Sequence, residues 1–433
     1  METESVSRIG NGITKGNRKN NRKRRAGRIT IVVSFAIAII LFAVIVNEVP
    51  IKSTPPQERA LIAFTPEVVA SFLDVGQYSS LAIDSNTNFP SIVAYVAEDQ
   101  SYDVWSWNGV SWDVFPGPTP PPSVFIGKYC SIAMNATNDF AVSYYDETAT
   151  SGALECIFPY ANIDTIDSVG NVGQYTSIAI NPITNTTAIS YYDVTNGNLK
   201  VAVNASGLGW TNLSVDQIGN VGQYTNIAFL GANDTLSVLY YDVTNGDLKN
   251  AWQWGGTGPW YNVTIHSTGD VGKWPSQAVT PSGDWYGSFY DTTNGNLNYI
   301  DWVDGGAGGM GSAVPDSSGD VGQYTSIGVN STGHVFISYY DVTNGDLKLA
   351  WNESTTWYNM TLDSTNDAGR FTSLKIDSDD VIHISYYDAT NKDLKYVKVL
   401  PTEIPIPEFS EIAIPIVGII ATIAFLSSRR KRE

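Results

Sequence analysis

The chain has 433 residues and a formal net charge of −18, from 43 acidic and 25 basic residues. An acidic surface repels polyanions, which excludes nucleic acid and anionic lipid surfaces as general partners. Its three histidines share no metal-ligand spacing, which argues against a histidine-held metal centre.

Residues 1–28 form a basic tail with Lys15, Arg18, Lys19, Arg22, Lys23, Arg24, Arg25 and Arg28. Residues 29–46 follow without a charge, eighteen in all, long enough to span a bilayer. No small-x-small cleavage pattern follows, so the segment reads as a signal anchor with a cytoplasmic N-terminus. Residues 47–66 are a proline-containing linker.

From residue 67 to 400 a motif pair returns about every fifty residues. Its first half, Val-Gly-Gln-Tyr-Thr, centres on Gly173, Gly222 and Gly322, with weaker copies at Gly76, Gly127, Gly272 and Gly369. The second half is Ser-Tyr-Tyr-Asp before a Thr-Asn-Gly turn. Its aspartates are Asp146, Asp193, Asp242, Asp291, Asp341 and Asp388, and Ala97 is read at that place in the first copy. Each period holds four short runs of strand character, as in 324–330, 335–340, 347–351 and 357–362. Four strands in each of seven periods predict an all-β, seven-bladed β-propeller of four-stranded antiparallel blades. The last period stops after its third strand, and the orphan run 68–73 is placed to complete it and close the ring.

Residues 401–411 are a second proline-containing linker, and 412–426 a second apolar span. The tail 427–433 carries Arg429, Arg430, Lys431 and Arg432, which places this end inside too. The propeller is then extracytoplasmic. Between residues 47 and 411 it carries 12 basic and 40 acidic groups, a net of −28.

Pro407, Glu408 and Phe409, followed by an apolar span and a basic cluster, resemble the PEF-type C-terminal sorting signal of archaeal surface proteins. The resemblance implies cleavage near the motif by an archaeosortase-like membrane enzyme. The blades resemble the Tyr-Tyr-Asp repeats of prokaryotic surface propellers. Nine Asn-x-Ser/Thr sequons, at Asn135, Asn185, Asn204, Asn212, Asn233, Asn262, Asn330, Asn352 and Asn359, are candidates for glycosylation.

In a meander blade with strands a to d, the b–c and d–a turns share one face. Both chain ends leave from the opposite face, so the b–c/d–a face is predicted to look away from the membrane. The sequons avoid it. It carries Gln77, Tyr78, Gln174, Tyr175, Gln223, Tyr224, Gln323 and Tyr324, aromatic faces beside amides that suit a sugar or peptide. The predicted role is adhesion or binding of a glycan or surface-protein ligand. A structural envelope protein without a discrete ligand is the first alternative, and a polysaccharide hydrolase or lyase the second. The Asp-x-Thr-Asn-Gly turn resembles the Asp-box of sialidases, but that family needs three arginines and residues 47–411 hold two, Arg59 and Arg370.

Asp193, Asp242 and Asp341 have two readings. In one, each carboxylate accepts turn N–H groups, as Asp341 from Thr343 or Asn344. In the other they ligate calcium. His334 and His383 are placed in strand b of the last two blades and His266 at the end of a strand d, all as structural residues. Cys130 and Cys156 fall on strands a and c of one blade. An extracytoplasmic pair favours a disulfide, but a strand between them separates their Cα atoms by roughly 9–10 Å, beyond ordinary reach, so a bridge requires a distorted blade.

Overall fold

The computed structural model describes residues 60–118, 125–147, 151–158, 163–205, 209–231, 233–303 and 310–402. Six four-stranded antiparallel sheets and one sheet closed by the N-terminus make the seven blades. Strands a are Val75–Ile83, Ile126–Met134, Val172–Ile180, Val221–Phe229, Val271–Val279, Val321–Val329 and Ala368–Ile376. The two predicted spans, both tails and the Pro407-Glu408-Phe409 motif lie outside the described residues. Among the described residues no helix is long and apolar enough to cross a membrane.

The ring closes as the orphan run predicts, with one difference. The closing strand is in two pieces, Ala60–Ala63 and Glu67–Ala70, both paired with Asp393–Thr402. The first piece lies in the predicted linker, and strand c runs to Thr402, past the predicted limit of 400. Phe64 still donates to Lys398 O at 3.0 Å, and Pro66, with no N–H to donate, stands in the gap between the two pieces. Ala60 pairs with Thr402 and Glu67 with Tyr396, so both ends of the domain leave side by side at the a–b/c–d face.

Each of the seven interfaces holds its own apolar cluster. The Tyr-Tyr pair serves two interfaces at once, because adjacent strand residues point to opposite faces. Tyr191 reaches back to Asp167 of blade 2 at 2.8 Å, while Tyr192 reaches forward to Asn220 of blade 4 at 2.7 Å. Strands a are tied to one another as well. The Ile178 N–H donates to Ser131 Oγ at 3.2 Å, and the Ile227 N–H to Ser177 Oγ at 3.2 Å.

Gly222 shows why the repeated glycine is needed. Its φ is +105°, and a Cβ there would sit 2.7 Å from Leu199 Cα on the previous blade.

Three placements differ from expectation. Val75 pairs with Val96, so Val96 and not Ala97 holds the aspartate place in blade 1. His334 lies in the a–b turn before Val335–Asp341 rather than in strand b; its ring accepts or donates at Thr332 Oγ1, 2.7 Å away. Asn204 ends its strand c and Asn352 is the last but one residue of its own, instead of occupying turns.

Candidate functional site

The structure brings Tyr78, Tyr175, Tyr224 and Tyr324 together, and adds Tyr129, Trp274 and Phe371. The seven side chains form a closed ring around the axis, with neighbouring centroids 4.6–5.1 Å apart. Sequence reading missed three members because Lys128, Lys273 and Arg370 replace the glutamine that marks the motif. The available signal was position: an aromatic residue stands two places after the glycine in all seven copies.

Every member has positive φ, between +47° and +56°. Each sits in a bulge of strand a, where pairing shifts register, as between Gln174 and Ser177. A bulky residue in the left-handed region costs of order 1–3 kcal/mol. Bulges re-aim side chains, and here seven are re-aimed to one axis.

Neighbouring ring planes meet at 45–54°. A seven-fold rotation turns one plane from the next by at most about 51°, reached when the planes stand parallel to the axis. The rings therefore stand upright. Centroid spacing puts them about 5.4 Å from the axis; upright rings facing it like staves would bring ring carbons to about 2.5 Å, inside contact distance. They are turned as vanes instead, with edges toward the axis and faces overlapping.

The recess they enclose has a volume of 180 Å3 and a floor that includes Ser79, Cys130, Thr176, Thr225, Thr325 and Thr372. The floor is already satisfied in places: the Thr225 hydroxyl donates to Tyr175 O at 3.0 Å and lies 2.5 Å from Ser190 Oγ. Burial pushes the Tyr78 phenol up to about 12, and raises Tyr129, Tyr175, Tyr224 and Tyr324 as well. The ring is neutral at physiological pH. Small-molecule sites usually measure about 300–1,000 Å3, so the recess has room for the tip of a ligand, not all of one.

The glutamines point elsewhere. Gln77 Nε2 donates to Asp74 Oδ1 at 3.4 Å, and Asp74 accepts from the Tyr387 hydroxyl at 2.7 Å. Gln77 thus belongs to a second, wider circle on the same face, as do Gln174 bonded to the Tyr145 hydroxyl and Gln323 to that of Tyr290. Its three cations are paired: Lys128 with Glu147 at 2.5 Å, Lys273 with Asp270 at 2.8 Å and Arg370 with Asp367 at 2.6 Å.

Asp193, Asp242 and Asp341 are buried in the b–c turns. Asp341 Oδ1 accepts the Asn344 N–H at 3.0 Å and Oδ2 accepts Asn344 Nδ2 at 2.9 Å. Asp193 and Asp242 make the same pair of bonds with Asn196 and Asn245. Among the described residues, no group of three or more His, Cys, Asp or Glu side chains is disposed to hold a metal ion.

The cysteines are both free and buried. Cys130 packs toward blade 1 and Cys156 toward blade 3, on opposite faces of their sheet. Asn185, Asn212, Asn233, Asn262 and Asn359 are exposed, while Asn135, Asn204 and Asn352 are half-buried. Asn330 is buried, and its Oδ1 accepts from the Thr332 and His334 N–H groups. None of the nine lies on the face that carries the aromatic ring.

No protein-family model and no curated protein match the chain. Its fold is similar to solved propellers. A polysaccharide lyase of family PL25, an ulvan lyase, gives a TM-score of 0.53 at 12% identity over 76% of this chain and 95% of that one. The SapL1 lectin, solved with alpha methyl fucoside, gives 0.43 at 15% identity over 67% and 98%. The fucose-specific lectin of Aleuria aurantia gives 0.43 at 11% over 69% and 99%.

Proposed function

We propose that this chain is a membrane-tethered cell-surface propeller whose membrane-distal face binds a glycan or protein ligand, with one terminal group entering the axial recess. The observation that carries this reading is the ring of seven aromatic residues, each in a strained backbone conformation, at one mouth of the axis. Packing alone does not require it, since a Gly or Asn would fill the left-handed position with less strain.

Topology supports the orientation. Both ends of the propeller leave from the a–b/c–d face, continuing in sequence into the segments read as membrane spans, and the ring lies at the other. The sequons on the far side agree with a face kept free of glycan. Processing at Pro407-Glu408-Phe409 by an archaeosortase-like enzyme belongs to the same reading. So does an extracytoplasmic site for the acidic domain.

The test is a glycan array and a surface-protein pull-down with the full chain, beside Tyr175→Ala and Tyr224→Ala. The reading requires a ligand whose capture both variants lose while their melting cooperativity is retained. Equal capture by wild type and variants, or no capture by the wild type, sinks it.

A further inference from the structure

A roomier cavity than the axial recess lies on the opposite face. It measures 500 Å3 and opens at the rim of the seam between blades 7 and 1. The break in the closing strand creates it: Thr65 and Pro66 leave the pairing that a one-piece strand d, such as Trp210–Asp216, keeps apart from one bulge near its end.

Its walls are aromatic. Trp107 and Trp112 meet edge to face at 5.6 Å, and Trp112 meets Tyr396 at 5.3 Å. Phe64 is 40% exposed, with the Lys398 ammonium 5.0 Å from its ring. The polar lining includes Glu67, Asn88 and Asp377.

A buried relay forms the floor. His383 Nε2 lies 3.0 Å from Asp377 Oδ2, and His383 Nδ1 lies 2.6 Å from the Tyr396 hydroxyl. With Nε2–H donating to the Asp377 carboxylate, Nδ1 is left to accept from the Tyr396 hydroxyl. No other blade has this set. Phe336, Tyr286, Ser237, Ala188, Ala141 and Ser91 occupy the place of His383.

The lining selects among ligands. An anion meets Glu67 and Asp377 inside an acidic domain. Glu67 already accepts from the Trp112 indole at 3.2 Å and Asn88 bonds Asp379 and Ser378 at 2.9 and 3.0 Å, but an aliphatic chain strips water from the remaining lone pairs of the carboxylates, which is costly. A neutral sugar satisfies both halves: C–H faces against the indoles, hydroxyls to the remaining lone pairs of the carboxylates. The geometry points to a second binding site at the seam, for one or two residues of a neutral saccharide. It does not depend on the axial reading.

The experiment is calorimetric titration of the full chain, held in a detergent without a sugar headgroup, with maltose, cellobiose and N,N′-diacetylchitobiose. At least one binds. Trp107→Ala weakens it by about tenfold or more, Phe64→Ala by several-fold, and Tyr175→Ala leaves it unchanged. Phe64→Ala guards against misfolding of the tryptophan variant, because its side chain is exposed and its backbone bond to Lys398 O is kept. The inference is overturned when none of the three sugars binds, when binding survives both substitutions, or when Tyr175→Ala removes it.

Discussion

Four blade interfaces carry a buried Tyr-Asp-Lys latch and three do not. Between blades 3 and 4, Asp216 ends strand d and accepts from Tyr240 at 2.8 Å and from Lys249 at 2.5 Å. Asp316, Tyr339 and Lys348 repeat this between blades 5 and 6. Asp167 with Tyr191 and Lys200, and Asp363 with Tyr386 and Lys395, do so at two more. Each lysine also lies over the ring of its tyrosine, 5.5–5.7 Å away.

Between blades 4 and 5 the same three places hold His266, Phe289 and Asn298, and the histidine packs on the phenylalanine at 5.5 Å. Between blades 1 and 2 they hold Gly117, Tyr144 and Glu155. At the seam they hold Ala70, Ala94 and Asp103. Wherever the aspartate is missing, the lysine is missing too. A buried charge without its partner is costly, so the latch is kept or lost as a unit. The seam, without a latch, keeps its apolar cluster and the bonds of Tyr387 and Lys392 to Asp74, at 2.7 and 3.1 Å. It is also where the chain leaves a cavity.

The largest expected effect comes from acid, which strikes all four latches together. Burial raises the carboxyls of Asp167, Asp216, Asp316 and Asp363, but their lysine and tyrosine partners outweigh it and hold them below the ordinary value. Stability from this source is complete above the unfolded value of about 3.9 and falls away as pH drops below it through the depressed folded values. Melting followed against pH should show that collapse; a flat profile from pH 5 to 2 breaks the comparison.

Next in size is a single latch. Lys249→Met strands Asp216 and is expected to cost about 3–5 kcal/mol. The triple variant Asp216→Leu, Tyr240→Phe, Lys249→Met should cost less than the single one in urea titrations. Greater damage from the triple variant means the parts act independently.

Gly222→Ala is expected to cost on the order of 3 kcal/mol, through positive φ and the clash with Leu199. It should do so regardless of latches, so an equivalent loss at Gly76, beside the latchless seam, sharpens the contrast. Tyr240→Phe removes one hydrogen bond and leaves the ion pair, for about 1 kcal/mol.

The smallest effect is confined to the seam. Burial lowers His383, with Asp377 offsetting part of the shift. The neutral imidazole stabilises the fold above the unfolded value of about 6.5, and that contribution is lost as pH falls toward the lower folded value. His383→Gln should flatten stability just below pH 6.5 and leave the acid collapse in place. The same slope below pH 6.5 in the variant and the wild type would falsify the assignment.

Period, strand count, closure and the Asx turns were legible in the sequence, because they rest on local alternation and on turn residues that repeat with the blade. Seven glycines and six aspartates announce them directly. The ring was half legible: Tyr78, Tyr175, Tyr224 and Tyr324 stood in a recognisable motif, while Tyr129, Trp274 and Phe371 needed the geometry that makes positions equivalent. The latches and the seam cavity were decided by tertiary structure alone. Asp216 and Lys249 are 33 residues apart, and Phe64 and Tyr396 stand at opposite ends of the domain. Nothing in local pattern marks which buried polar groups will meet once a sheet is rotated against its neighbour. Only the closed circle, which sets each strand d against the next blade and the chain's beginning against its end, brings them within bonding distance.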